Sequence, residues 1–340
     1  LTPGAPLVHP HWGTNLAASV ALARGDTDAA LAGADLVVTR RFRFGRMSAS
    51  PLEPRAVAAR WDALTGTLHV WSSAQMPYVV RQRVADALGL AADAVRVTAP
   101  DVGGGFGAKG AVYPEELIVA ALARRLDRPV RWTETRGEAF VATTHSADQV
   151  HDATLALRGD GTFLALTDDF LIDGGAYLPR GAVVANVTAT HLPGLYRFPA
   201  FRCRGRLVVT HKVPSAPYRG AGRPHAAFVT ERLVDVAARQ LGIDPVELRR
   251  RNLLTPDEMP FDRGIPYRDG VSIVYDSGDY PALVDEALAR AGYRTFRERQ
   301  QAARREGRSL GFGLAAYNEG TAIGPHEGAA VAIEQDGRAS

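Results

Sequence analysis

The chain has 340 residues, 46% hydrophobic and 23% charged, with a formal net charge of +3; these figures fit a water-soluble globular protein of two or three domains with a core of its own. Cys203 is the only cysteine, which excludes an internal disulfide, a cysteine-based zinc site and an iron–sulfur cluster held by this chain alone. Lys109 and Lys212 are the only lysines, so the positive charge is nearly all arginine; so small an excess argues for no nucleic-acid partner, and no apolar run approaches the ~20 residues of a membrane span.

The segment around His9-Pro10-His11 reads as a loop. No signal peptide is visible, and Leu1 in place of an initiator methionine points to an incomplete or processed sequence. A short helix is expected near Asp28 to Gly33, then a strand from Asp35 to Phe44. Ala56–Trp61 and Thr67–Trp71 flank a turn and predict a hairpin. Apolar residues at helical spacing (Val79, Val80, Val84, Leu88) predict a helix ending at Gly89, followed by a short strand at Val95–Val97.

Residues 100–110, Pro-Asp-Val-Gly-Gly-Gly-Phe-Gly-Ala-Lys-Gly, hold too much glycine for regular structure. Without Cβ atoms the backbone N–H groups can approach a ligand closely, which suits an anion or a cofactor's oxygen atoms; a plain structural turn is the alternative. Gly103, Gly105 and Ala108 satisfy G-x-G-x-x-A, but the next helix begins only near Pro114, too late to receive a dinucleotide's pyrophosphate. The phosphate-binding loop motif fails at Ala108 and Gly110.

Further on, a helix is expected over Glu115–Leu126, a strand over Val130–Glu134, and a hairpin from Val150–Leu157 and Phe163–Ile172. The loop Val213–Pro224 precedes a helix from about Ala226 to Gln240, and Asp244 with Pro245 starts another through Arg251. Tyr280–Arg308 reads as a basic helical stretch whose alternating charges suit solvated faces, with strands expected at Leu310–Ala316 and Gly328–Ile333. Helices and strands without a strict βαβ repeat make the class α+β.

Two further segments could carry chemistry. Gln75, between a strand and a helix, could hold an oxygen atom without bringing charge, or could cap the helix or face solvent. Arg219 and Arg223 on a glycine-bearing loop could clamp an anion or decorate a turn. No G-x-S-x-G or H-E-x-x-H motif is present.

Taken together, Pro51-Leu52-Glu53-Pro54-Arg55, Trp71–Pro77, Pro100–Lys109, Asp173–Tyr177, Tyr218–Arg223 and Asp244–Arg249 with Arg251-Asn252 resemble, in order, the molybdenum-binding large subunit of the xanthine dehydrogenase and aldehyde oxidase family, most closely its carbon monoxide dehydrogenase-like branch. The resemblance implies the family's molybdenum cofactor-binding fold, with residues 1–50 the end of a preceding domain and linker, 51–275 a first cofactor-binding domain, and 276–340 linker helices and the start of a second. It implies a molybdenum ion held by the dithiolene of a pterin cofactor, molybdopterin cytosine dinucleotide, with no direct protein ligand. Gln75 is then expected to hydrogen-bond an oxo ligand, Gly104, Gly105, Phe106 and Gly107 to pack on metal and pterin, and Arg219 and Gly220 to close the other side. Phe106, Gly110 and Ala221 belong to the implied substrate pocket.

Gly110 stands where purine-oxidising relatives carry a substrate-orienting glutamate, Val187 near where they place an arginine, and Ala221 where they have an aromatic residue. These departures argue against purine oxidation, and Gly220-Ala221-Gly222 lacks the cysteine of the copper-containing relatives. The implied reaction is oxidative hydroxylation of an aldehyde or aromatic N-heterocycle with water as oxygen source, its general-base glutamate expected beyond Ser340. The implied partners are an iron–sulfur [2Fe-2S] small subunit and an FAD-binding medium subunit in a cytoplasmic dimer of heterotrimers. The competing reading is a non-catalytic cofactor-binding or assembly module.

Overall fold

The computed structural model describes residues 4–320, 331, 333 and 335–338. In chain order the strands are β1 (Leu16–Arg24), β2 (Leu36–Phe44), β3 (Ala56–Asp62), β4 (Thr67–Ser72), β5 (Val95–Thr98), β6 (Val130–Thr133), β7 (Asp148–Leu157), β8 (Phe163–Gly175), β9 (Ala200–Val209), β10 (Phe261–Pro266) and β11 (Ser272–Tyr275). The helices are α1 (Thr27–Ala32), α2 (Pro77–Leu88), α3 (Pro114–Leu126), α4 (Arg136–Ala142), α5 (Gly181–His191), α6 (Arg223–Leu241), α7 (Pro245–Asn252), α8 (Tyr280–Arg290) and α9 (Phe296–Arg305).

The strands form two principal sheets. The larger has the order β1-β9-β8-β7-β2, with β8 and β9 parallel and the other pairs antiparallel. Helices α5 and α6 cover one face, and α1 packs Ala30 and Leu31 on a patch of Ala156, Ala165 and Ala200. Leu166, Phe170, Leu192, Leu207 and Leu233 are fully buried between these layers, each such side chain supplying about 1.5–3 kcal/mol. Gly205 on β9 lies under the Phe170 ring, where a Cβ would come within 2.4 Å. The smaller sheet, β5-β4-β3-β6, packs Leu68, Val70 and Val95 against Val80, Val84 and Ala120 of α2 and α3.

Local chemistry sets the helix ends. Asp26 accepts from the N–H groups of Asp28 and Ala29 at the start of α1, and Asp244 accepts from Val246 N–H at the start of α7. Pro77, Pro114 and Pro245 stand at first helical positions, and Gly89 ends α2 with φ +61°.

The α+β class stands, with departures in detail. β1, α5, β9 and the β10–β11 hairpin join the expected elements. The stretch Tyr280–Arg308 is two helices, interrupted where Gly292 takes φ +63°. Leu310–Ala316 is not a strand: among the described residues it pairs with no neighbouring strand, and it seats Phe312 against Tyr293 and Phe296, with centroids 4.5 and 5.5 Å away. The strand expected at Gly328–Ile333 lies, apart from residues 331 and 333, outside the described residues. The expected boundary at residue 50 falls in the link between β2 and β3; β1 and β2, before it, are the edges of the larger sheet.

Candidate cofactor and substrate site

Three segments from different elements converge on one another. Gln75 lies in the link from β4 to α2, the glycine loop follows β5, and the arginine loop runs from β9 to α6. Gln75 is tied to the glycine loop twice: its backbone N–H donates to Lys109 O at 2.9 Å, and its Oε1 accepts from Gly107 N–H at 2.8 Å. An amide donor must face an oxygen, so this second bond fixes the carboxamide's orientation and leaves Nε2 as the free donor.

The glycine loop is held by left-handed turns that few side chains tolerate: φ is +95° at Gly104, +52° at Phe106 and +100° at Gly107. A Cβ on Gly105 would stand 2.6 Å from Gln75 Oε1, and one on Gly107 would stand 1.9 Å from Pro217 O. The glycines let Gln75 and the second loop close on this backbone. Among the described residues, the N–H groups of Gly105 and Phe106 have no acceptor. Arg219 N–H donates to Phe106 O at 3.0 Å, and its guanidinium lies 5.8 Å from the Phe106 ring centre.

Lys109 is buried, its ammonium paired with Glu53. Behind the turn at Glu53, Arg55 pairs with Glu115 at 3.0 Å and Glu134 at 2.7 Å and lies 3.7 Å from the Tyr113 ring centre. These charges anchor the loop from below.

The second loop is anchored to the larger sheet. His151 contacts Asp168 at 2.6 Å through Nδ1 and donates from Nε2 to Gln149 Oε1 at 3.1 Å. Gln149 Nε2 donates to Thr188 Oγ1 at 3.1 Å, and that hydroxyl reaches Gly222 O at 3.4 Å. His191 Nδ1 donates to Val187 O at 2.9 Å while its Nε2 accepts from Arg223 Nε at 3.1 Å. Burial, and then the adjacent Arg223 charge, bring the His191 pKa down to about 4, so the ring is neutral and serves as an acceptor.

Between the loops opens a cleft of about 890 Å³ whose lining includes Gln75, Gly107, Gly110 and Ala221, and Val187 on α5. Gly104, Gly105, Phe106, Arg219 and Gly220 stand beside it and do not line it; Phe106 is 41% exposed and faces Arg219. The lining also includes residues not expected at the site from sequence, among them Met76, Tyr78, Arg180, Pro217, Tyr267 and Arg268. Met76 and Pro217 lie within the segments Trp71–Pro77 and Val213–Pro224, but nothing local marked Tyr267 or Arg268. No aspartate or glutamate is among the lining residues described. Cys203 is buried in β9, away from both loops.

Other motif residues serve the scaffold. Arg249, fully buried, joins α7 to α6 through Glu231 at 2.8 Å and Asp235 at 3.0 Å. Asn252 clasps the β7–β8 hairpin through Phe163 N–H and Gly161 O. His9 contacts Ala176 O at 2.7 Å, and the arginines of α9 are exposed.

A neutral amide donor, two free backbone N–H groups and side-chain-free loops fit a bulky cofactor that presents oxygen atoms and brings its own metal ligands. The family model described as molybdopterin cofactor-binding domain matches residues 8–253. The chain is 34% identical over 330 residues to 6-hydroxypseudooxynicotine dehydrogenase complex subunit gamma of Paenarthrobacter nicotinovorans, covering 95% of this chain and 41% of the relative. It is 32% identical over 312 residues to the carbon monoxide dehydrogenase large chain of Hydrogenophaga pseudoflava, covering 88% and 37%. The crystal structure of quinoline 2-oxidoreductase from Pseudomonas putida 86 superposes with a TM-score of 0.79 at 38% identity, over 86% of this chain and 37% of that one. The chain thus spans about two fifths of the length of these two relatives. It belongs to the molybdopterin cofactor-binding domain family, as found in the large subunits of xanthine dehydrogenase-type enzymes.

Proposed function

We propose that the cleft belongs to the large subunit of a molybdenum hydroxylase acting on an aldehyde or an aromatic N-heterocycle, the relatives named for quinoline and a nicotine derivative supporting the heterocycle. In the net reaction a C–H carbon gains a hydroxyl oxygen from water, and two electrons and two protons leave. The observation that carries this reading is the closure of Gln75, the glycine loop and the arginine loop into one cradle with unanswered N–H donors.

When bound, a molybdenum cofactor, in its cytosine dinucleotide form, supplies the two-electron centre through a metal ligated by the cofactor's own dithiolene. Gln75 Nε2 would donate to an oxygen of that group. Gly104, Gly105, Phe106 and Gly107 would bring backbone close to it, with Arg219 and Gly220 on the opposite side. Gly110 and Ala221 keep the substrate end roomy and Phe106 borders it. No cleft-lining residue is assigned as general base. Electrons would pass to a [2Fe-2S] small subunit and an FAD-binding medium subunit in a cytoplasmic assembly. No described helix is long and apolar enough to cross a membrane.

The test is turnover of quinoline and benzaldehyde by the purified complex in 18O-labelled water. Label should enter the product, and Gln75→Ala should lower turnover about tenfold or more without loss of folding. Unlabelled product, or unchanged kinetics in the variant, contradicts the reading; failure to oxidise either probe favours an assembly module.

A further inference from the structure

Arg180, on the wall of the cleft just before α5, meets no carboxylate among the described residues. Its Nη1 donates to Met76 Sδ at 3.2 Å, and a thioether is a weak acceptor. Among the described residues this half-buried guanidinium makes no ion pair and no other hydrogen bond, although it carries five donors in a fixed planar fork. Its Nη1 lies 3.9 Å from where a Cβ on Gly110 would stand, so it reaches over the end of the glycine loop into space that the missing side chain leaves open. Met76 is the neighbour of Gln75, which places both donors on the same wall.

The other cations of the cleft are differently placed. Arg223 gives its Nε to His191 and its Nη1 to Glu319 at 2.8 Å. Arg268 is exposed, its guanidinium 4.8 Å from the Tyr267 ring centre. Val183, Val187 and Pro217 supply apolar wall, and no acidic side chain is among the described lining residues of this cleft; Asp86, in the adjoining groove that Arg180 also lines, accepts from Gln82 Nε2 at 2.8 Å. A positive fork on a partly apolar wall raises the local concentration of small anions, and the fork matches a carboxylate in two parallel hydrogen bonds.

We propose that Arg180 is a specificity-determining residue that selects substrates carrying a carboxylate. The assignment rests on reading the cleft as the substrate site. Gly110 and Ala221 leave room for the ring or chain that bears the carboxylate.

Benzoate and benzamide are the probes, alike in shape and different in charge. Titrated calorimetrically into the purified protein, with whatever subunits accompany it, benzoate should bind about tenfold or more tightly than benzamide. Arg180→Gln should erase that preference while leaving benzamide affinity within about twofold, and Arg180→Lys should retain part of it. Equal affinities, no detectable benzoate binding, or a preference that survives Arg180→Gln overturns the proposal. The two-probe comparison on the unsubstituted protein stands even if a variant fails to fold. Molybdenum content of the same sample separates the two readings: absent metal with an intact benzoate preference defeats the hydroxylase reading alone, and present metal with no preference defeats the Arg180 assignment alone.

Discussion

Lys109 Nζ lies 2.6 Å from Glu53 Oε2, and the same oxygen accepts from Gly103 N–H at 2.7 Å, so a single carboxylate ties both ends of the glycine loop to the turn after Pro51. Glu53→Ala would leave a buried ammonium unpaired. The expected cost is about 2–3 kcal/mol by urea denaturation, below that of a fully buried pair because the Glu53 side chain is 35% exposed. Burial pushes Glu53 up, but Lys109 and the Gly103 N–H outweigh it and hold the carboxyl below its usual range. The contribution is therefore present above the ordinary glutamate pKa and is lost as pH falls through the lowered value. A double substitution with Lys109→Met should recover part of the loss.

Gly105 and Gly107 should respond differently to alanine. At Gly107 the new Cβ would meet Pro217 O at 1.9 Å on a backbone with φ +100°, and neither backbone can yield cheaply. Gly107→Ala is expected to cost about 3 kcal/mol or more. At Gly105 the obstacle is the Gln75 carboxamide, 2.6 Å away, which can swing aside. Gly105→Ala should unfold within about 1 kcal/mol of the parent yet lose the Gln75–Gly107 bond and retain cofactor poorly. Thermal melts with molybdenum analysis separate the two.

Two buried histidines make the scaffold acid-sensitive. Burial, helped by Arg223 at His191, lowers the pKa of His191 and of His225 from 6.5 to about 4. Between those values the unfolded chain binds protons that the folded chain refuses, so stability should fall as pH drops from about 6.5 to about 4, by up to about 3 kcal/mol for each ring. His191→Gln keeps an acceptor for Arg223 and removes one of the two contributions. The difference between parent and variant across that window cancels the other titrating groups, and equal slopes would contradict the assignment.

Thr188→Val preserves shape and deletes the hydroxyl between Gln149 and Gly222. With Gln149 and Thr188 fully buried, the orphaned amide should cost about 1–3 kcal/mol by denaturant titration. A cost near zero would mean that this link does not secure the second loop.

Much of the small sheet and its helices was legible because its elements are half-exposed and keep clean periods. α5 was not: it is apolar on nearly all sides, with Val184, Ala185, Val187 and Ala189 all buried, so no helical stripe shows. β1 reads as an alanine-rich segment with little strand propensity and becomes a strand through its pairing with β9. β9 carried a usable signal, Arg202 and Arg204 outward alternating with Phe201, Cys203 and Gly205 inward. At the site, Gln75 and both loops were readable from glycine chemistry and the family resemblance. Arg180, Tyr267 and Arg268 were not, because only tertiary folding brings them to the cleft that Gly110 lines.

The most direct test of the central claim is molybdenum stoichiometry, measured by elemental analysis of the purified complex after cofactor reconstitution. About one molybdenum atom per chain, released together with a pterin on denaturation, is the expected result. A well-folded complex that stays substoichiometric in molybdenum would contradict the claim.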